Sequence, residues 1–148
     1  MNLDQALLQR FSSAPLAVDS NPLAATLDCR ILSLDRAAGV IRLSFNPGPQ
    51  FVHSRGVVQG GIVSTMLDMA AAYAALAILP DGQTAASATI TVHFQGIVRA
   101  GLVNATGMVE RAGKRLIFTR AQIFGDGDRV LAAATAMMSV LPDDPAGG

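Results

Sequence analysis

The sequence predicts an α+β domain in which an antiparallel β-sheet is wrapped around one long central helix. A run in which nearly every residue is apolar or small occupies positions 62–79, and alternating segments occur both before it and after residue 82. A long apolar run without Pro or Gly is typical of a buried helix, and alternation with a period of two is typical of strands. One helix among many strands is the order expected when a helix covers one face of a sheet.

The first part of the chain predicts a short helix, a linker and two strands. Apolar residues at helical intervals over Asp4–Phe11 indicate an amphipathic helix, and the prolines of Ser12–Pro22 indicate a linker. Strands are predicted over Ala24–Leu34 and Gly39–Phe45, with Asp35–Ala38 as the turn between them. The Asn-Pro-Gly-Pro sequence that follows ends the second strand, because proline cannot donate to a strand ladder.

Everything after the central run predicts antiparallel sheet. Over Ser87–Phe94 the side chains of Ser87, Thr89, Thr91 and His93 alternate with apolar ones, and the apolar side is expected to face the helix. Glycine-containing turns separate three further predicted strands, which are Leu102–Arg111, Arg115–Phe124 and Arg129–Val140.

Length and composition predict one domain with a substantial core. Residues 23–141 are expected to form it, after an N-terminal helix and linker at 1–22 and before a loose tail at 142–148. With 51% hydrophobic residues and a formal net charge of zero, the chain is not of the disordered class and has no bulk charge to attract nucleic acid.

Neither secretion nor a membrane span is expected. The single cysteine, Cys29, cannot build a disulfide framework or a metal cluster, which suits a reducing compartment. The N-terminus lacks the pattern of a signal peptide, and the apolar run 62–79 carries Asp68, which argues against a membrane helix. We expect a cytoplasmic protein without a metal, a bound cofactor or a membrane partner.

The central helix carries a carboxylate on a surface that is expected to be buried. Ser64, Thr65 and Asp68 share one stripe of the helix, because residues three and four apart lie on the same side. An unpaired buried carboxylate is costly, so Asp68 requires either hydrogen-bond donors or a catalytic task. One interpretation is that the two hydroxyls merely satisfy Asp68 in a structural network, and the other is that Asp68 is a catalytic acid or base.

Two glycines stand where the helix is expected to begin. Gly60 and Gly61 allow close approach of another group, and the first turn of a helix has N–H groups without intrahelical partners. This arrangement suits an anion or an oxyanion, although a tight turn or close packing would also explain two glycines. Together with Asp68 on the same helix, they favour a catalytic site.

The pattern His53, Gly56, Gln59-Gly60-Gly61 and Asp68 resembles the motif of hotdog-fold acyl-CoA thioesterases. The resemblance is to the branch of phenylacetate-pathway and 4-hydroxybenzoyl-CoA thioesterases, and it covers residues 24–140. It implies the hotdog fold, an antiparallel sheet wrapped around a long central helix.

The same resemblance implies roles for the motif residues. Asp68 would be the general base or the nucleophile, and the Gly60 N–H would polarise the thioester carbonyl. The commoner motif has Asn at the position of His53 and His at that of Gln59, so the groups that orient the thioester or the water are changed. Gln59 keeps an amide donor.

The spacing of these residues predicts a site made by two chains. Eight residues of helix separate Gly60 from Asp68 by roughly 12 Å, which is too far for both to reach one carbonyl group. A two-fold interface would place Gly60 of one subunit opposite Asp68 of the other. We therefore expect a homodimer at least, with a tetramer as the fuller assembly.

Further site residues are expected from the resemblance and from charge. Ser87 matches a family Thr or Ser near the reacting group, although an ordinary strand residue is the alternative. Substrate contacts are predicted for Gly61, Thr65, Met66 and Met69. Cationic side chains at turns are predicted to bind coenzyme A phosphates, unless they are solvated strand ends, and these are Arg99, Arg111, Lys114 and Arg115.

The expected function is hydrolysis of an acyl-CoA thioester to a free acid and coenzyme A, with the thioester as substrate. A serine-hydrolase elbow and zinc-ligand spacing are both absent from the sequence. A hotdog protein that binds acyl-CoA or an acyl carrier without hydrolysis is the main alternative, because of the changed residues at positions 53 and 59. A hydratase lacks its paired Asp and His here, and a purely structural dimer would leave Asp68 unexplained.

Overall fold

A computed structural model describes residues 3–13 and 15–144. Seven strands and one long helix make up most of it, and two short helices lie in the N-terminal part of the chain. The elements in chain order are α1 (Leu3–Arg10), β1 (Leu16–Ala17), α2 (Pro22–Thr26), β2 (Arg30–Asp35), β3 (Val40–Phe45), α3 (Gly60–Ile78), β4 (Gln83–Phe94), β5 (Val103–Ala112), β6 (Leu116–Phe124) and β7 (Val130–Pro142).

The strands form one antiparallel sheet in the order β1-β2-β3-β5-β6-β7-β4. Helix α3 crosses one face of this sheet and contacts the strands from β3 to β7. Alternate residues of β5, β6 and β7 are buried against it, whereas their neighbours face outwards. The predicted fold class, an antiparallel sheet around a central helix, is confirmed.

The helix lies closest to the sheet at Gly107 on β5. A Cβ atom at this position would lie 1.9 Å from the carbonyl oxygen of Ala70, so only glycine fits beneath the helix backbone. Ala70 and its neighbours Ala71 and Ala74 are fully buried, since small residues on the helix permit the same close approach. The alanine-rich run in the sequence is therefore explained by helix-to-sheet distance as well as by helix propensity.

Replacing Gly107 by Ala is expected to lower the free energy of unfolding by about 3 kcal/mol, because the helix backbone must move away from the sheet. Urea denaturation of the wild type and the variant measures this change. Thr106→Ala is the matched control, because Thr106 precedes Gly107 on β5 but faces away from the helix. A Gly107→Ala protein as stable as the control would contradict the close approach.

The N-terminal segment differs from its prediction. The first three residues of the predicted strand Ala24–Leu34 belong to helix α2, because the Asn21 side chain accepts from the amides of Leu23 and Ala24 and Pro22 suits the first helical turn. Strand β2 begins only at Arg30. The predicted linker contains β1, which pairs with β2, so it is part of the sheet.

Helix α1, predicted over Asp4–Phe11, packs on α3 rather than standing apart. Leu7 and Leu8 are buried in the common core, and the Gln5 amide donates to the carbonyl oxygens of Leu79 and Pro80 at the end of α3. Those carbonyls have no intrahelical donor, so α1 serves as a side-chain cap for the central helix.

Two remaining features concern the long helix and the C-terminus. By length and composition α3 could cross a membrane, but a core helix passes the same test, and 56% of its most apolar 18-residue window is buried. Strand β7 extends to Pro142, and the Asp143 amide donates to the carbonyl of Gly82, so the predicted tail begins later than position 142. Its residues 145–148 lie outside the described residues.

Candidate active site

The structure brings Asp68 of α3 and Ser87 of β4 into direct contact. The Ser87 hydroxyl donates to Oδ1 of Asp68 across 2.6 Å, a distance typical of a hydroxyl bound to a carboxylate. Ser87 Oγ also lies 3.4 Å from the sulfur of Met138 on the neighbouring strand. The contact joins the two residues that the sequence places 19 positions apart.

A β-bulge in β4 causes this contact. Because of it, Ser87 lies on the opposite face of the strand from the one predicted. The β4–β7 register shifts between Ser87 and Thr89, so Ser87 pairs with Met138 while Thr89 pairs with Met137. Simple alternation puts Ser87 on the same face as Thr89 and His93, which is wrong because the extra residue, Ala88, turns Ser87 towards the helix. His93 stays on the outer face, away from Ser87.

The predicted stripe of Ser64, Thr65 and Asp68 is present, but its hydrogen bonds differ from the structural interpretation. Ser64 Oγ donates to the carbonyl of Gly60 and Thr65 Oγ1 to that of Gly61, each at 2.9 Å. Neither hydroxyl satisfies Asp68, because hydroxyls within a helix bond readily to the carbonyl four residues earlier. Asp68 itself is half-buried rather than buried, since the chain's own sheet leaves this stripe of α3 open.

A pocket of about 250 Å³ opens beside Asp68. Thr65 and Met69, for which substrate contacts are predicted, line it together with Ala72, Tyr73 and Leu76 further along the helix. Residues from three other segments complete its wall, and these are Asp4, Asn21, Leu23, Thr84 and Ala85. Apolar side chains thus lie next to the carboxylate, which suits an acyl group.

Met66 and Gly61 do not line this pocket. Met66 is fully buried in the core between helix and sheet, and its substrate contact stays a prediction. Gly61 is exposed at the first turn of α3, and no atom within 4 Å would meet a Cβ there. Its neighbourhood is open space in the single chain.

Tyr73 places a protonated hydroxyl in the pocket wall. Burial, and then the nearby Asp4 carboxylate, raise the pKa of the Tyr73 hydroxyl well above its usual value, so the group remains neutral and able to donate. The hydroxyl lies near Asn21 and Asp4 without a hydrogen bond of good geometry to either. Cys29 lies in the core, and its burial raises the pKa of its thiol to about 12, so the thiol stays protonated.

The start of α3 presents free amides as predicted. Gln59 is the N-cap residue, and its side chain makes no capping hydrogen bond. Within the described residues, the Gly60 N–H has no backbone acceptor, while Ile62 and Val63 donate to the Gln59 carbonyl. The Phe94 ring, from the end of β4, lies 3.5 Å from where a Gly60 Cβ would be. These amides suit an oxyanion beside an aromatic wall.

His53 lies in a tight exposed turn before the helix. Gly56, with φ of 72°, closes this turn through its amide to the His53 carbonyl, so a left-handed backbone is needed there. The Arg55 amide donates to Nδ1 of His53 at 3.2 Å, so Nδ1 is an acceptor in this turn. The structure thus orients His53 but records no contact between it and Asp68.

The predicted cationic residues do not form one cluster within a chain. Arg99 precedes β5, whereas Arg111, Lys114 and Arg115 lie at the far end of that strand and in the turn after it. About ten residues of strand separate the two groups, roughly 33 Å. All four residues lie at or near turns, but these turns are at opposite ends of the sheet. Arg99 is therefore far from the other three in space.

A comparison with models of known protein families identifies the superfamily of this chain. Residues 55–132, more than half of the chain, match the model of the thioesterase superfamily. The chain belongs to this superfamily. The matched region contains the end of the turn His53–Gly56, the whole of α3, strands β4, β5 and β6, and the first residues of β7. A comparison with curated protein sequences finds no match.

Solved structures share the superfamily's hotdog fold with this chain. A phenylacetic acid degradation-related protein of Ralstonia eutropha JMP134 is 27% identical, with a TM-score of 0.80 over 93% of this chain and 99% of that one. A thioesterase family protein of Silicibacter pomeroyi is 28% identical, with a TM-score of 0.75 over 82% and 90%. A Streptococcus mutans UA159 protein bound to acetyl-CoA is 15% identical, with a TM-score of 0.67 over 76% and 87%, which shows the fold alone.

Several residues of this thioesterase-superfamily site were not predicted from the sequence. Phe94 had a usable signal, since its position on the apolar side of β4 points it towards the helix. Asn21 and Leu23 had none, because they reach the pocket through long-range packing of α1 and α2. Within residues 3–13 and 15–144, no group of three or more His, Cys, Asp or Glu side chains is placed to hold a metal ion.

Proposed function

We propose that this protein hydrolyses an acyl-CoA thioester to a free acid and coenzyme A, at a site shared between two subunits. The observation that carries the proposal is the 2.6 Å pair of Ser87 and Asp68 beside an apolar pocket in a thioesterase-superfamily fold. The acetyl-CoA bound to the Streptococcus mutans structure supports a coenzyme A thioester as the ligand class.

In the proposed reaction the thioester carbonyl oxygen accepts from the Gly60 amide, where negative charge develops. Asp68 either removes a proton from the attacking water or attacks the carbonyl carbon itself, giving an anhydride that water then cleaves. In both routes the carbon–sulfur bond breaks, the oxygen of water enters the acid, and a proton goes to the departing thiolate. Ser87 holds the Asp68 carboxylate in one orientation.

The edge of the sheet supports a two-subunit site. Strand β4 has 12 residues, lies at one edge of the sheet, and is exposed along most of its length. It contains no Lys, Arg, Asp, Glu or Pro, the residues that usually protect a free edge from pairing. The inward side chains Ile90 and Phe94 are 37% and 57% exposed, so the chain's own helix does not cover them.

Pairing of two β4 edges about a two-fold axis would cover these side chains and the open stripe of α3. Gly60 and Asp68 lie on one straight helix, and about 12 Å of helix separates them, so they cannot serve one carbonyl group within a chain. In the paired arrangement each Asp68 would serve the Gly60 of the partner.

Release of free thiol from a panel of aryl and straight-chain acyl-CoAs tests this function. We expect turnover, with the preferred acyl group set by the pocket of Met69, Tyr73 and Leu76. Binding of acyl-CoA without thiol release would instead favour a non-hydrolytic acyl-CoA or acyl-carrier binding protein. Gln59 and His53 would then be the residues to change first, towards the commoner His and Asn.

Replacing Ser87 by Ala is expected to lower kcat about 10-fold, since a hydrogen bond to a charged acceptor contributes roughly 1.5 kcal/mol. The Asp68 carboxylate would lose its fixed orientation while its charge remained. Ser87→Thr keeps the hydroxyl and should retain most of the rate. Steady-state kinetics on one acyl-CoA compare the three proteins, and equal kcat for Ala and Ser would remove Ser87 from the mechanism.

A further inference from the structure

The pocket beside Asp68 has a far end that is built largely by the N-terminal segment of the chain. Asp4 of α1 and Asn21, the cap of α2, meet Tyr73 of α3 there. Tyr73 follows Asp68 by five residues, so roughly 7.5 Å of helix separates the two ends. Asp4 and Asn21 precede residues 55–132, the region that matches the superfamily model. Two of the three residues at the far end therefore lie outside the matched region.

Asp4 is held in place by the packing of its helix. The Ser20 hydroxyl donates to Oδ1 of Asp4 at 2.6 Å, and the neighbouring Gln5 amide donates to the carbonyl oxygens of Leu79 and Pro80 at the end of α3. Asp4 is half-buried, and the bond from Ser20 leaves acceptor capacity on its carboxylate, because an ionised carboxylate has two acceptor oxygens. A fixed negative charge therefore stands at the far end of the pocket.

The Tyr73 hydroxyl is buried at the far end without a hydrogen-bond partner. Tyr73 is only 4% exposed, and its hydroxyl oxygen forms no hydrogen bond within the described residues. A buried polar group without a partner is costly, so the arrangement favours a ligand atom that completes it. A hydroxyl on the ligand does so, because it can accept from Tyr73 and donate to Asp4 at the same time.

The pocket carries negative charge at both ends. Asp68 stands at one end and Asp4 at the other, and no Lys, Arg or His belongs to the part of the lining that the structure describes. Charges interact strongly where little water separates them, so an acyl group that ends in a carboxylate would meet Asp4 without a cation to balance it. An acyl group that ends in a methyl group would leave the Tyr73 hydroxyl unpaired.

We propose that Asp4 is a specificity-determining residue, which makes the pocket accept acyl groups that end in a hydroxyl and reject those that end in a carboxylate. In this arrangement Tyr73 donates to the terminal hydroxyl of the acyl group, and the Asp4 carboxylate accepts from it. This inference rests on the proposed function for the thioester at the other end. Because Asp4, Tyr73 and Asp68 belong to one chain, the subunit that supplies Asp68 also selects the acyl group.

Kinetics on three acyl-CoAs of equal chain length test Asp4. Hexanoyl-CoA ends in a methyl group, its ω-hydroxy derivative in a hydroxyl, and adipoyl-CoA in a carboxylate. Such a chain with a terminal oxygen is about as long as the helix segment from Asp68 to Tyr73. In wild type we expect kcat/KM to be highest for the hydroxy substrate and lowest for adipoyl-CoA.

Asp4→Asn removes the charge, while an Asn oxygen can still accept from Ser20. We expect kcat/KM to rise about 10-fold for adipoyl-CoA, because the repulsion is lost, and to fall about fivefold for the hydroxy substrate, because the acceptor is now neutral. For hexanoyl-CoA it should stay within about twofold of wild type, since a methyl group makes neither contact.

Two further variants separate charge from packing. Asp19→Asn removes the same charge from an exposed residue that does not line the pocket, so it should match wild type on all three substrates. Tyr73→Phe keeps the ring and deletes the hydroxyl, so kcat/KM should fall about fivefold for the hydroxy substrate alone. A merely structural role of Tyr73 would instead change all three substrates alike.

Direct binding separates this inference from the proposed hydrolysis. Calorimetry with the three acyl-CoAs in the Asp68→Asn background needs no turnover. Adding Asp4→Asn to that background should tighten adipoyl-CoA about 10-fold and weaken the hydroxy compound about fivefold. These shifts support the role of Asp4 even if the wild-type protein hydrolyses no acyl-CoA.

Three results would overturn the assignment. One is the same order of preference, with the same ratios, in Asp4→Asn as in wild type. Another is an equal change on all three substrates, which would make Asp4 a residue of structure alone. The last is no binding of any of the three compounds, because the pocket would then not hold an acyl group that reaches from Asp68 to Tyr73.

Discussion

Asp68→Asn is expected to lower kcat for acyl-CoA hydrolysis by about 10³-fold and to leave acyl-CoA binding nearly unchanged. Asparagine has the shape of aspartate and can still contact Ser87, but it can neither take a proton from water nor attack a carbonyl carbon. Thiol release gives kcat, and calorimetry with the uncleaved acyl-CoA gives binding. The combination distinguishes lost chemistry from a lost pocket.

Asp81→Asn is the control for this experiment. Asp81 lies just beyond the other end of α3, is exposed, and accepts a hydrogen bond from Gln9 at 2.7 Å, which an Asn oxygen can still accept. This variant should hydrolyse acyl-CoA at the wild-type rate. Wild-type turnover in Asp68→Asn would remove Asp68 from the mechanism, and with it the reason for a two-subunit site.

The central helix and the strands that follow it along the chain are predictable from the sequence because both depend on local patterns. The apolar run after Gly61 is typical of a buried helix, and its alanines fit the close contact that Gly107 permits. The strands after residue 82 alternate with a period of two, so their inner faces follow directly except at the bulge in β4. These patterns are strong because one face of each element is buried.

Ser87 illustrates where local pattern fails. The alternation of β4 assigns it to the outer face, and the functional resemblance places it near Asp68. The bulge at Ala88 reconciles the two, because one extra residue reverses the direction of every side chain before it. No residue type marks this bulge in the sequence, since neither Gly nor Pro is present there.

The predictions for the N-terminal segment and for the arginines fail for a different reason. The positions of these residues depend on packing between parts of the chain that are distant in sequence. Asn21 caps α2 and contributes to the pocket beside Asp68 only because α1 and α2 fold back onto α3. Arg129 and Arg99 lie 30 positions apart in sequence yet line one groove, because the turns that carry them are at the same end of the sheet. Strand ends meet in space according to sheet topology, which the sequence pattern does not specify.

Charge placed on the free edge of β4 is expected to abolish both association and turnover. In Thr89→Glu/Thr91→Glu the new carboxylates would face their symmetry mates across a paired edge, and like charges in directly opposed strands repel. Both threonines are exposed and point away from α3, so the pocket and the Ser87–Asp68 pair stay intact within each chain. Sedimentation should report a monomer, and the rate of thiol release should fall by at least about 10²-fold because Gly60 and Asp68 no longer meet.

Thr135→Glu is the matched control, since Thr135 pairs with Thr91, is exposed on the same face, and lies one strand away from the edge. It should remain dimeric and active. Mixing the Glu variant with Thr89→Lys/Thr91→Lys should recover dimers and turnover, because opposite charges then face each other, and such recovery excludes unfolding as the cause of the loss. A monomer that hydrolyses acyl-CoA at the wild-type rate would require Gly60 and Asp68 to act within one chain, which about 12 Å of rigid helix does not allow.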